Sequence, residues 1–139
     1  MKRNINIVNQ FVKDSIPNTD QVNSENIDSL VNYSIDSVIC GTLEYIKDSE
    51  FEPYLLSLLE KIREEGNIII KFVNFKKLFI EYINQQISGS KVFNSLENKR
   101  NMLSPDKVVN ILNKNSFMIL KIDQHEDHFI IMAQRTNNR

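Results

Sequence analysis

The sequence predicts an α/β domain whose sheet is mostly parallel and ends in an antiparallel hairpin. Three observations carry this. First, the apolar run Ile35–Cys40, closed by Gly41, leads into a long amphipathic segment and then a second apolar run. Strand, crossover helix and strand imply two parallel neighbours in one sheet. Second, Asn67-Ile68-Ile69-Ile70-Lys71-Phe72-Val73 is apolar at nearly every position, the pattern of a strand buried on both faces. Third, two last apolar runs, 117–123 and 128–134, are joined by Gln124-His125-Glu126-Asp127. That tip is too short for a crossover, so the two strands pair antiparallel.

The bulk properties place these elements in one domain spanning 1–139, a length that suits one core. The net charge of -1 provides no field to recruit nucleic acid or an anionic membrane, so neither is expected as a partner. Cys40 is the only cysteine, which leaves no intrachain disulfide and suits a reducing compartment. Met1-Lys2-Arg3 is not followed by a sustained apolar core, and no run approaches membrane-spanning length, so a soluble cytoplasmic protein is expected. The abundance of Asn, Ile and Lys points to an AT-rich genome.

Taken in order, Asn4-Ile5-Asn6-Ile7-Val8 alternates as a short half-buried strand would. Residues 17–23 are polar, with Pro17-Asn18 as a turn signal. Ser24 is placed to cap a short helix carrying Ile27, Leu30 and Val31, with an irregular loop as the alternative. After Ile35–Cys40, Phe51, Leu55, Leu58, Leu59 and Ile62 share one helical face. Pro53 prefers the first turn, which predicts a start near Glu52, and Gly66 supplies a left-handed stop. Asn74 caps the next helix, whose stripe is Phe75, Leu78, Phe79, Tyr82 and Ile83. Residues 87–90 break it, and 92–99 form another helical turn. Ser104-Pro105 opens the last helix, with Val108, Val109, Ile111 and Leu112 facing inward.

This order resembles the C-terminal half of class I S-adenosylmethionine-dependent methyltransferases, whose sheet ends in such a hairpin. Asp36-Ser37-Val38-Ile39-Cys40 resembles their Asp-led fourth strand, and Leu43-Glu44-Tyr45-Ile46 the step after it. Residues 55–70 resemble the helix, glycine turn and fifth strand; Met102-Leu103-Ser104-Pro105-Asp106 resembles the opening of the last helix. The likeness covers 35–135 and extends to short methyltransferase-like proteins of tailed phages. It implies a truncated Rossmann-like methyltransferase sheet. It also implies a glycine-rich turn after the first strand and an acidic residue after the second, which hold the cofactor. Here the glycines are Gly41, Gly66 and Gly89. The turn after the first strand reads Asn9-Gln10-Phe11, so the glycine needed for close backbone approach is missing.

If S-adenosylmethionine is bound, the resemblance puts Gly41, Thr42, Leu43 and Glu44 at the cofactor, on the carboxyl edge where ligands of open α/β sheets bind. A plain turn with Leu43 and Ile46 packed inward explains the same residues. Asn74, ending the next strand, is the candidate substrate contact, and its role as a helix cap is the alternative. Cys40 reads as a buried strand end. His125 and His128 flank a hairpin tip, where ligands should point apart, so no metal is expected. Lys99-Arg100 could meet an anion or sit in a solvated loop. In a retained pocket Glu44 could act as a base or hold a substrate hydroxyl, but no catalytic residue is nominated.

The missing glycine turn favours a non-catalytic methyltransferase-like protein acting in interaction or structure, its S-adenosylmethionine site lost, and a phage source is expected. The alternative is an active methyltransferase whose pocket is completed by oligomerisation. Loss of the N-terminal strands should leave a bare sheet edge, so a homo-oligomer or a protein partner is expected.

Overall fold

A computed structural model describes residues 2–136. Six strands form one sheet: β1 (Asn4–Val8), β2 (Asp20–Asn23), β3 (Ile35–Cys40), β4 (Ile62–Val73), β5 (Phe117–His125) and β6 (His128–Arg135). Four α-helices accompany them: α1 (Asp48–Glu60), α2 (Phe75–Ile83), α3 (Gly89–Leu96) and α4 (Pro105–Lys114). Short 3-10 segments occupy Ser24–Ser29 and Leu43–Tyr45. The strand order is β2-β1-β3-β4-β6-β5. β2, β1, β3 and β4 run parallel, while β6 is antiparallel to β4 and β5 to β6. The chain steps outward from β1 to β2, then returns past β1 to β3. The sheet therefore has a topological switch point between β1 and β3, where a crevice opens at the carboxyl ends.

The core lies on one face. Ile5, Ile7, Val38, Cys40, Ile68, Ile70, Phe72, Ile131 and Ala133 point into it, against Phe51, Leu55 and Leu58 of α1 and Val108 and Leu112 of α4. Each Val, Leu, Ile or Phe side chain fully buried there contributes about 1.5–3 kcal/mol. The intervening residues Asn67 and Ile69 are only half-buried and Lys71 is exposed. β4 is thus not covered on both faces, as its apolar run suggested. No helix connects β1 to β2; residues 9–19 form a loop that crosses the other face, where Asn6 Nδ2 donates to the Asp14 carbonyl at 2.9 Å.

Several element boundaries differ from expectation. β2 is a polar four-residue strand with Val22 as its one apolar residue, too little for a readable alternation; it pairs with β1 and is itself the outermost strand on that side. The 3-10 segment after it is capped by Asn23, not Ser24: the Asn23 side chain accepts from the Glu25 amide at 2.9 Å. α1 begins at Asp48 instead of near Glu52, because fully buried Phe51 anchors its first turn and Pro53 sits on the solvent side. It ends at Glu60, well before Gly66. Arg135 closes that end, donating to the carbonyls of Leu59 at 3.0 Å and Ile62 at 2.9 Å. α3 starts at Gly89 with Ser88 as its cap, inside the segment read as a break. The α2 stripe is buried only at Phe75 and Leu78, while Tyr82 and Ile83 face solvent. Asn74 and Ser104 cap α2 and α4 as expected, accepting from the amides of Lys77 and Lys107.

Candidate functional site

The carboxyl ends of β1, β2 and β3 frame a cavity of about 690 Å³. Asn9 and Phe11 reach it from the end of β1, Glu25 from beyond β2, Thr42 and Tyr45 from beyond β3, and Lys99 and Arg100 from the loop after α3. The switch point explains this convergence: neighbouring connections leave on opposite faces, so their first residues splay around a gap.

The turn after β1 is closed on itself. Asn9 Oδ1 accepts from the amides of Phe11 at 2.8 Å and Val12 at 2.7 Å. The Asn9 amide donates to the Val12 carbonyl at 3.0 Å. An asparagine side chain satisfying amides two and three residues on is the usual asparagine turn. Phe11 then stacks on Tyr45, with ring centroids 5.2 Å apart and planes inclined by 20°. Lys99 Nζ lies 5.8 Å from the Tyr45 ring centroid.

Glu44 faces inward. Its Oε1 accepts from the Val73 amide at 2.6 Å, its Oε2 is 3.8 Å from Lys99 Nζ, and its carbonyl accepts from the Arg100 amide at 2.8 Å. Burial pushes the Glu44 carboxyl above its ordinary value, against the Val73 bond and the Lys99 charge, which favour ionisation. It therefore ties the end of β4 to the loop carrying Lys99 and Arg100.

The four residues from Gly41 to Glu44 are separated by the fold. Thr42 lines the large cavity, with its Oγ1 3.5 Å from Cys40 Sγ. Gly41 and Glu44 line an adjoining space of about 180 Å³ that also touches Lys99 and His128. Leu43 is fully buried in the core. Asn74 lies in a different, largely apolar cavity of about 600 Å³ with Phe75, Ile80, Met102 and Phe129. Cys40 is a buried strand end, and burial raises its thiol pKa. His125 and His128 are register partners across a two-residue tip, so they share a face instead of pointing apart. Burial lowers the His128 pKa, helped by Lys71 and Lys99. Among the described residues no group of three or more His, Cys, Asp or Glu could hold a metal ion, and no helix is long and apolar enough to cross a membrane.

The sequence does not single out Glu25, and it marks Asn9 and Phe11 only as a glycine-free turn and Tyr45 only as part of the Leu43-Glu44-Tyr45-Ile46 step. Glu25 became recognisable only once β2 was seen to end two residues before it. Lys99-Arg100 was legible as an anion candidate but not as a wall of this cavity.

Solved structures share this architecture. A SAM-dependent methyltransferase from Archaeoglobus fulgidus superposes with a TM-score of 0.63 at 14% identity, covering 96% of this chain and 86% of that one. The chain has the class I methyltransferase fold. A possible histamine N-methyltransferase from Thermotoga maritima matches at TM-score 0.58 and 15% identity, covering 85% of this chain and 64% of that one. The 1,6-didemethyltoxoflavin-N1-methyltransferase of Burkholderia thailandensis, bound to S-adenosylhomocysteine, matches at 0.56 and 12%, covering 80% and 48%. The chain thus spans less than two thirds of these last two methyltransferases, and identities this low carry the fold alone. No family model matches the sequence, and no curated protein matches it significantly.

A methyltransferase fold makes S-adenosylmethionine the group to test against these residues. Glu25 supplies a carboxylate beyond the second strand, as the resemblance requires. The turn after β1 does not fit. Three of its amides are already bonded within the turn, two of them to the Asn9 side chain.

Proposed function

We propose that this protein keeps the methyltransferase fold without methyl transfer and acts through binding, as an interaction or structural protein. The observation that carries this reading is the self-bonded, glycine-free turn at Asn9-Gln10-Phe11. Cofactor binding at a backbone turn needs free amides and close approach; here both are taken by the chain itself. The cavity remains, and its stacked Phe11–Tyr45 pair, Glu25 and Arg100 suit a small polar ligand held by stacking and charge. A tailed-phage source belongs to the same proposal, supported by the Asn, Ile and Lys bias; neighbouring genes check it.

The test is a thermal-shift titration with S-adenosylmethionine and S-adenosylhomocysteine. A ligand at a hundred times its dissociation constant stabilises the native state by about 2.7 kcal/mol, a shift of several degrees for a domain of this size. No shift at saturating ligand is expected, and a clear saturable shift sinks the reading. One observation favours a second reading, an active methyltransferase with a pocket completed by oligomerisation: Glu25 follows β2 and lines the cavity, and the resemblance implies a ribose-holding carboxylate after the second strand. In that case Glu25→Gln weakens the titration.

A further inference from the structure

β5 is the outermost strand of the sheet and is hydrogen-bonded on one side only, to β6. It is nine residues long, and Met118, Leu120 and Ile122 on it are 49%, 45% and 48% exposed. A long apolar edge of this kind is normally blunted, most often by a lysine. Lys121 meets that description, but Asp123 lies two residues on, with its Oδ2 3.2 Å from Lys121 Nζ. The edge therefore presents opposite charges on either side of Ile122.

The ladder fixes which groups face outward. His125 and His128 close a two-residue tip and form the hydrogen-bonded pair next to it. Alternation along an antiparallel pair then directs the N–H and C=O of Asp123, opposite Ile130, toward β6. The same holds for Lys121, opposite Met132. The N–H and C=O of Ile122 and Gln124 are left on the open side. The register shift between Ile119 and Lys121 limits the regular stretch on its other end.

We propose that β5 pairs with β5 of a second copy, antiparallel, about a two-fold axis at Ile122. In that register Ile122 exchanges both backbone hydrogen bonds with its counterpart. Lys121 then stands opposite the partner's Asp123, and Asp123 opposite the partner's Lys121. These fall at non-hydrogen-bonded positions, where side chains come closest. Registers centred on Lys121 or Asp123 set like charges against each other, and one centred on Gln124 runs past the strand end at His125, so the Ile122 axis is selected. The result is a continuous twelve-stranded sheet across two copies (six strands each). The inference stands apart from the cavity reading, because β4 and β6 separate β5 from β3.

Sedimentation equilibrium of the full chain, from low micromolar to a few hundred micromolar, tests it. A monomer–dimer equilibrium is expected. Lys121→Asp alone and Asp123→Lys alone place like charges opposite each other twice and weaken the dimer by at least about tenfold. The double swap, Lys121→Asp with Asp123→Lys, restores it. Circular dichroism confirms that each variant is folded. A wild-type monomer across the range, or a dimer that either single reversal leaves unchanged, overturns the proposal.

Discussion

Glu44 is 3% exposed, yet it carries a carboxyl group into the protein because the Val73 amide at the end of β4 needs an acceptor. An unpaired buried donor costs about 1–3 kcal/mol, so Glu44→Ala should lose about that much in urea denaturation. Glu44→Gln keeps an acceptor and should lose less. The pH dependence follows from the raised pKa. A carboxyl whose folded pKa exceeds its unfolded value contributes stability that is fully present below the ordinary value of 4.5 and is lost as pH rises through the folded value. Wild type should therefore lose stability relative to Glu44→Gln as pH rises above the ordinary value of 4.5. Equal slopes for the two proteins would refute this account. Glu44 is then a structural tie beside the cavity, and its carboxylate faces Val73 in place of a ligand.

At the scale of elements, the irregular start of β4 shows why a glycine was misread. Ile35 pairs with Ile62, but Ser37 pairs with Asn67, so residues 63–66 bulge from the ladder. Glu65, not Gly66, takes the left-handed conformation, with φ 65°. Gly66 is required for space: a Cβ there would lie 2.7 Å from Ile62 Cγ2, 2.9 Å from the Arg63 carbonyl oxygen and 3.0 Å from that of Asp36. Two of these are backbone atoms of the β3–β4 junction and cannot swing aside. Gly66→Ala should therefore cost about 2–3 kcal/mol. Gly41 is the contrast. Its nearest neighbour would be Val12 Cγ1 at 3.9 Å, an ordinary contact. Gly41→Ala should change stability by no more than about 0.5 kcal/mol. Thermal denaturation of the two variants side by side separates them, and similar losses would contradict the assignment.

Across the whole molecule, stability should be graded from the sheet centre outward. β3, β4 and β6 are each paired on both sides and carry the core side chains Val38, Ile68, Ile70, Phe72 and Ile131. β2 has four mostly exposed residues, and α3 buries none. Native-state hydrogen exchange should place the slowest amides in β4 and β6, and the fastest structured ones in β2 and α3. Protection in β2 equal to that in β4 would show that the outer strand is part of the cooperative core.

The sequence by itself determined the elements whose signal is local. The β3–α1–β4 crossover, the caps at Asn74 and Ser104 and the closing hairpin follow from apolar period and capping chemistry within a few residues. It also determined the missing glycine after β1, which is a matter of composition. Only the tertiary structure decided the rest. β2 has no apolar alternation and exists because β1 offers it an edge. The α1 stop depends on Arg135, some seventy residues away in sequence. The cavity draws Asn9, Glu25, Thr42 and Arg100 from four separate connections. No spacing along the chain encodes that meeting, because it is set by the reversal of strand order between β1 and β3.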